Sequence, residues 1–188
     1  MKKFTLIAAL LVSSVATFAQ SWKVDKAHAK VGFTVTHMML SEVDGNFKSF
    51  DATITSSKED FSDAVIELSA DINTVDTDND MRDGHLKGED FFNTAKFPML
   101  TFKSKSIAKV SGNKYKVTGD LTMRGVTKAV TLDMAITGPV VNQRSQKKMI
   151  GVKVSGTINR SDFSVGKAPA AVVSEEVEIK ANGEFVHQ

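Results

Sequence analysis

Apolar and polar residues alternate along the stretch VGFTVTHM, residues 31–38. Successive side chains of a β-strand point to opposite faces, so a period of two predicts a strand with one face in the core. Val31, Phe33, Val35 and His37 would share that inner face. The stretch therefore predicts a sheet rather than a helix at this point of the chain.

Further segments of the chain repeat this alternation. They lie at residues 47–55, 64–72, 99–104, 115–123, 130–136, 150–158 and 176–181. Most are joined by short turns, which favours antiparallel pairing of neighbours. Strands of about ten residues are long for a sandwich of this size, and small residues on or beside the inner face leave free space. We therefore expect an all-β fold, an eight-stranded antiparallel β-barrel with room for one small ligand.

One segment between the predicted strands has the pattern of a short helix. Asp78 or Asn79 can act as the N-cap of a helix that runs to Leu86, and Gly88 is a suitable stop. Pro98 then restarts an extended chain, because the residue before a proline is pushed away from helical backbone angles. We expect this short helix to cap one mouth of the barrel.

The first residues, 1–19, have the pattern of a secretory signal peptide. Lys2 and Lys3 precede an apolar run that is too short to span a bilayer comfortably, and Ala19 is the small residue that signal peptidases require. We predict cleavage after Ala19, a periplasmic location and a single mature domain, residues 20–188. A cysteine that could carry a lipid anchor does not follow the run.

Composition narrows the class of partner. Lys2 and Lys3 leave with the signal, so the 24 basic residues become 22, equal to the 22 acidic ones. A neutral chain without a clustered basic stripe argues against a nucleic-acid partner. The chain has no cysteine, so its stability must come from a core rather than from disulfides, and thiol chemistry is excluded.

The predicted helix carries the candidate catalytic side chains. Arg82 and His85 are three residues apart and would be neighbours on one helix face. The alternative is a polar network of Arg82, His85, Asp80 and Asp90 that holds the helix to the barrel mouth. The sequence has no serine elbow or phosphate-binding glycine loop, and its four histidines lack metal-ligand spacing. A hydrolase or isomerase with His85 or His37 as acid/base is therefore only the second hypothesis, and no metal is expected.

Several motifs of the chain resemble landmarks of a known family, in the expected order. They are GNF (45–47), DMRDGHL (80–86) with DFF (90–92) and FP (97–98), GDLTMRGVT (119–127) and INRSDF (158–163). The family is that of the YceI-like lipid-binding proteins, which are exported bacterial proteins. Phe97 stands where tyrosine is more usual there, and Ser164 where glycine is common.

The resemblance implies a lipocalin-like barrel that encloses a long isoprenoid or fatty chain, such as an isoprenoid quinone or a polyprenyl lipid. It implies no established catalytic activity and no cofactor other than the bound lipid, and an association with stress responses and lipid transport. Transient contact with a membrane and formation of a homodimer are compatible with it. A filled barrel that serves as an interaction module is the third alternative.

Phenylalanine and methionine suit a cavity for a flexible chain, because they are apolar and can contact the chain in more than one position. Together with the polar residues expected at the mouth, such side chains form the predicted ligand-binding set. The set is Phe33, Val35, His37, Phe47, Arg82, His85, Phe91, Phe92, Phe97, Phe102, Leu121 and Met123.

Overall fold

The computed structural model describes residues 19–188. Residues 1–18 of the predicted signal peptide lie outside the described residues, so its cleavage stays a prediction. The described strands are β1 (Gln20–His37), β2 (Ser41–Phe47), β3 (Phe50–Ser56), β4 (Val65–Asp71), β5 (Val75–Asp76), β6 (Met99–Ser111), β7 (Lys114–Met123), β8 (Val126–Val141), β9 (Lys148–Asn159) and β10 (Glu176–His187). Helix α1 covers Asp80–Lys87, and short 3-10 helices cover Ile72–Thr74 and Arg160–Phe163.

The strands form one antiparallel sheet that closes into a barrel. From β10 the order runs through β9, β8, β7, β6, β4 and β3 to β1, and β1 pairs again with β10. Two further strands extend the wall: β2 pairs with the second half of β1, and β5 pairs with β2. The predicted eight-stranded antiparallel barrel is confirmed.

Several strands are longer than predicted, among them β1, β6, β8 and β10. β1 begins at Gln20 because the residues after it pair with β3 on one side and β10 on the other, and a bulge between Asp25 and Ala29 interrupts its alternation. β8 continues to Val141, past the predicted end at residue 136. Its pairing with β9 shifts register between Thr137 and Val140. Pro139 lies at that shift, where a residue without an N–H is tolerated.

Alternation along the strands places side chains as the sequence predicts. On β6, Leu100, Phe102 and Ser104 are buried, whereas Met99 and Thr101 are exposed. On β7 every second residue from Tyr115 to Met123 is buried. The barrel interior is therefore built from the inner faces that the period of two defines.

Helix α1 begins and ends where its capping residues predict. The side chain of Asn79 accepts a hydrogen bond from the backbone N–H of Arg82 at 3.0 Å. The N–H of Gly88 donates to the carbonyl oxygen of His85 at 3.0 Å and closes the last turn. Within residues 19–188, the helices are too short or too polar to span a bilayer.

The two ends of the barrel are built differently. The mouth end carries the β1–β2 turn, helix α1, the β7–β8 turn and residues 160–175. The closed end carries the start of β1, the loop of residues 57–64, the β6–β7 turn and the end of β10.

Candidate functional site

The barrel encloses an apolar cavity of about 660 Å³. Aliphatic and aromatic side chains from the inner faces of the strands line it, and small residues such as Ala52 and Ala181 leave the free space. A volume of this size is typical of sites that bury a small-molecule ligand. The wall offers few hydrogen-bonding groups, so the cavity suits a hydrocarbon rather than a polar metabolite.

An aromatic cluster closes one end of the barrel. Phe61 from the loop of residues 57–64 packs against Trp22, with ring centroids 5.8 Å apart, and both side chains are buried. The hydroxyl of Tyr115 donates to the carbonyl oxygen of Asp60 at 2.7 Å and holds the same loop. Sequence reasoning missed this cluster, because Phe61 lies in a loop without strand alternation.

Asp63 fixes the conformation of the closing loop. Its carboxylate accepts hydrogen bonds from the hydroxyl of Ser56 at 2.5 Å, the hydroxyl of Ser57 and the backbone N–H groups of Ser57 and Lys58. Hydrogen bonds from Ser56 and Ser57 hold the pKa of Asp63 well below its usual range, because they stabilise the charged form. The loop is thus fastened by a carboxylate that needs to stay ionised.

Arg160 organises the wall of the mouth. Its side chain is 4% exposed and donates to the carbonyl oxygens of Val165, Gly166, Ala168, Val173 and Ser174, at 2.6–3.3 Å. It also pairs with the carboxylate of Glu175 at 2.8 Å. One buried guanidinium therefore folds residues 165–175 into a fixed rim.

A second arginine ties the segment after α1 to this rim. Arg124, in the β7–β8 turn, donates to the carbonyl oxygen of Ser164 at 2.7 Å and to that of Glu89 at 2.8 Å. Neither Arg124 nor Arg160 belongs to the predicted ligand set. Their positions inside the GDLTMRGVT and INRSDF motifs were the one sign in the sequence that these arginines matter. Their acceptors are backbone carbonyl oxygens, which no side-chain pattern reveals.

The structure brings eleven of the twelve predicted ligand residues to the cavity wall. They are Phe33, Val35, His37, Phe47, Arg82, His85, Phe91, Phe92, Phe102, Leu121 and Met123. Contact of these side chains with a ligand stays a prediction.

Phe97, the twelfth predicted ligand residue, does not line the cavity, and its contact with a ligand stays a prediction. Its ring packs on the β7–β8 turn, where a Cβ atom on Gly125 would lie 2.6 Å from Cε1 of Phe97. Gly125 has a φ of +74°, and its missing side chain makes room for the ring.

The polar network at the base of α1 differs from the predicted one. Arg82 donates from Nε to the hydroxyl of Thr77 at 2.8 Å and from Nη2 to the carbonyl oxygen of Thr77 at 2.6 Å. The hydroxyl and N–H of Thr77 in turn donate to the buried carboxylate of Asp83, at 2.5 and 2.9 Å. Asp80 and Asp90 are not part of it, and Asp90 pairs with Lys167 at 3.5 Å instead. Arg82 thus holds the helix while also lining the cavity.

The two histidines at the mouth have different surroundings from those of a carboxylate-oriented histidine. The ring of His85 is exposed and packs edge-on against Phe91, with centroids 4.9 Å apart. Among the hydrogen bonds of residues 19–188, neither His85 nor His37 has a carboxylate that would orient its ring.

One group of potential metal ligands converges within residues 19–188, and it lies away from the cavity. Asp25, His28 and Glu184 present donor atoms within 4.8 Å of one another on the outer surface. The hydrogen bond from His28 to Asp25, 2.8 Å long, raises the pKa of His28. These distances are explained by hydrogen bonding at the bulge of β1.

Residues 22–185 match the family model described as the YceI-like domain. The chain belongs to the YceI-like family. Protein YceI of Escherichia coli is 36% identical over 193 residues, and the alignment covers 100% of both chains.

Solved structures share the barrel of this YceI-like protein. The crystal structure of Burkholderia cenocepacia BcnA superposes with a TM-score of 0.78 at 28% identity, covering 86% of this chain and 98% of that one. A polyisoprenoid binding domain from Saccharophagus degradans superposes with a TM-score of 0.67 at 18% identity, covering 89% and 98%. At that identity the second likeness shows the fold alone.

Proposed function

We propose that the protein binds a long isoprenoid or fatty chain in the barrel cavity and carries or stores it without transforming it. The single observation that supports this most strongly is the cavity itself, an apolar interior of about 660 Å³ inside a closed barrel. The Saccharophagus degradans domain of the same fold is described as polyisoprenoid binding, which agrees with the proposal. A quinone or polyprenyl lipid is the expected class of ligand.

The distribution of polar groups orients the ligand. Side chains such as Phe33 and Phe102 make the cavity wall mainly apolar. Arg82, His85 and Lys167 line the cavity at the mouth end. A hydrocarbon tail therefore enters first and the headgroup stays near these side chains. Each buried CH₂ contributes about 0.8 kcal/mol, and one polar contact about 1 kcal/mol net, so the tail dominates affinity.

A carrier of this kind acts where its ligand has to cross water. The predicted signal peptide supports a periplasmic site of action, between two membranes, as part of this proposal. A lipid with a long tail resides in a bilayer, so the protein meets a membrane at loading and at delivery.

The test is recovery of a lipid from protein purified without detergent. We expect organic extraction and native mass spectrometry of the wild-type protein to reveal a bound long-chain lipid. Phe102→Asp should remove it, since a charge in the apolar wall opposes hydrocarbon binding. Thr101→Asp is the matched control, because this neighbour on β6 is exposed and points outward.

A second variant separates lost binding from lost folding. Ala181→Trp fills part of the cavity without adding a charge, and it should lower the lipid content while circular dichroism stays that of the wild type. Wild-type protein that is repeatedly free of lipid would contradict the proposal. So would equal lipid content in the wild type and folded Ala181→Trp.

A further inference from the structure

Three large apolar side chains project from the tip of the β1–β2 turn. Met38, Met39 and Leu40 are 49%, 74% and 87% exposed. Single exposed apolar residues are ordinary on a protein surface, but three in succession at one tip are a local patch. The mouth end also carries exposed Met81 on α1 and Val172 on the rim.

Backbone preference does not explain these residues. Met38 and Met39 have φ values of +53° and +57°, and the N–H of Leu40 donates to the carbonyl oxygen of His37 at 3.0 Å. A two-residue turn with positive φ at both positions strongly favours asparagine and glycine. Methionine side chains here disfavour the turn and remain in water, so neither local conformation nor burial within the chain accounts for them.

The tip is held in place by the rim. The N–H of Met38 donates to the carbonyl oxygen of Val172 at 2.9 Å. The N–H of Ser174 donates to the carbonyl oxygen of Thr36 at 2.9 Å, and the hydroxyl of Ser174 accepts from the N–H of Thr36 at 3.0 Å. These bonds keep the turn projecting beside the mouth instead of folding over it.

The tip lies beside the entrance to the cavity. His37, the residue before Met38, lines the cavity, and so does Val172, whose carbonyl oxygen binds the turn. Met38, Met39 and Leu40 themselves do not line it. Their apolar side chains therefore point outward next to the opening through which a ligand would pass.

We infer that the β1–β2 tip inserts into the surface of a lipid membrane and sets the barrel mouth against it. This inference rests on the proposed function, since a ligand that resides in a bilayer must pass from it into the cavity. The contact would let a hydrocarbon tail move from membrane to cavity without crossing water.

The size of the patch favours a membrane over a second protein copy. A stable protein interface takes about 20–30 residues on each side, whereas the tip together with Met81 and Val172 offers five exposed apolar residues. Amphipathic membrane contacts, by contrast, need only a few apolar side chains at the boundary of headgroups and acyl chains.

Charge at the mouth decides the kind of membrane contact. On the rim, Lys167 is paired with Asp90 at 3.5 Å and Arg160 with Glu175 at 2.8 Å, and Glu42 follows the tip on β2. The two rim cations thus have acidic partners, which offset their attraction for anionic lipid. Binding should come from insertion of apolar side chains and should depend weakly on salt.

Flotation with vesicles tests the inference. The full mature chain is mixed with vesicles of pure phosphatidylcholine, and with phosphatidylcholine mixed with phosphatidylglycerol, at low and high salt. We expect binding to both, and at least about a tenfold loss of partition for Met39→Asn combined with Leu40→Ser. Asparagine tolerates a positive φ, so the turn should keep its fold.

The opposite end of the barrel supplies the matched control. Val110 and Val140 are 61% and 62% exposed near the closed end, and Val110→Ser combined with Val140→Ser should leave vesicle binding unchanged. Equal binding of wild type and tip variant would overturn the inference. Binding that requires phosphatidylglycerol and disappears at high salt would also overturn it, as would dimerisation through the tip in light scattering without vesicle binding.

A solution assay separates this inference from the proposed function. The tip variant should capture a dispersed isoprenoid alcohol as well as the wild type, while its uptake from vesicles should be slower. If the wild type captures the alcohol in solution but does not bind vesicles, membrane insertion of the tip is refuted and the carrier proposal still holds. Vesicle binding through the tip by a barrel that captures no lipid would refute the carrier proposal alone.

Discussion

The volume of the cavity limits the length of hydrocarbon chain that the protein can bury. An apolar cavity of about 150 Å³ holds benzene, which corresponds to about 25 Å³ per carbon atom. On that scale the 660 Å³ of the barrel hold roughly 26 carbon atoms, or about five isoprene units. Additional units of a longer chain would stay at the mouth, where they gain little burial.

This capacity predicts how affinity changes along a series of isoprenoid alcohols. Ligands of this size gain about 0.3 kcal/mol net per heavy atom, so one five-carbon unit contributes about 1.5 kcal/mol. The dissociation constant should therefore fall about tenfold per unit from two units to about five. Beyond about five units it should stay level.

Competition against a fluorescent fatty-acid analogue measures the series, with each alcohol delivered from cyclodextrin to keep it monomeric. Ala181→Trp adds about nine heavy atoms to the cavity and should move the plateau to about three units. Thr101→Trp, on the outer face of β6, should leave the plateau at about five. Equal affinity for two-unit and five-unit chains, or a steady gain beyond eight units, would refute the reasoning.

Three further variants test the mouth and the closing loop. His85→Ala should change the affinity for a given chain by less than about tenfold but alter the ranking of alcohol against quinone headgroups, measured by the same competition. Arg160→Met should lower the free energy of unfolding in urea by about 3–5 kcal/mol, because it leaves Glu175 and the rim carbonyls without their donor. Asp63→Asn should flatten the loss of stability in acid. The pKa of Asp63 is lower in the folded protein than its ordinary value of 3.8, so its contribution is complete above about pH 4 and is lost as the pH falls below that value.

Each of these variants has an outcome that contradicts its reasoning. Loss of chain binding by His85→Ala would place the dominant contact at the head instead of the tail. An Arg160→Met protein as stable as the wild type would show that water replaces the guanidinium at the rim. If Asp63→Asn unfolds in acid along the same curve as the wild type, other carboxylates control acid stability.

Much of the fold could be predicted from local sequence patterns. The alternation of residues 99–104 correctly separates buried Leu100 and Phe102 from exposed Thr101, because neighbouring side chains of a strand must point to opposite faces. Asn79 and Gly88 delimit α1 because their roles depend on backbone groups three or four residues away. Features of this range are visible in a sequence.

Features that join distant parts of the chain were missed or misplaced. The start of β1 contains few apolar residues, and its strand conformation comes from pairing with β3 and β10. Phe61 closes one end because its loop reaches Trp22, 39 positions earlier in the chain. The ring of Phe97 lies outside the cavity, because Gly125 provides space for it on the β7–β8 turn. These placements depend on which segments meet in space.

The sequence by itself determined the strand class, the inner faces, the caps of α1 and the family resemblance. All of these depend on residue type at short, regular spacing. Only the tertiary structure decided how large the cavity is, which end is closed, and that Arg160 and Arg124 build the mouth. The volume of the cavity is the interior volume of the barrel minus the volume of the side chains that eight strands place in it. The two arginines bind backbone carbonyl oxygens, which every residue possesses. Neither the cavity volume nor the set of carbonyl oxygens that the arginines bind is encoded at a single position. Both are defined only when the chain is folded.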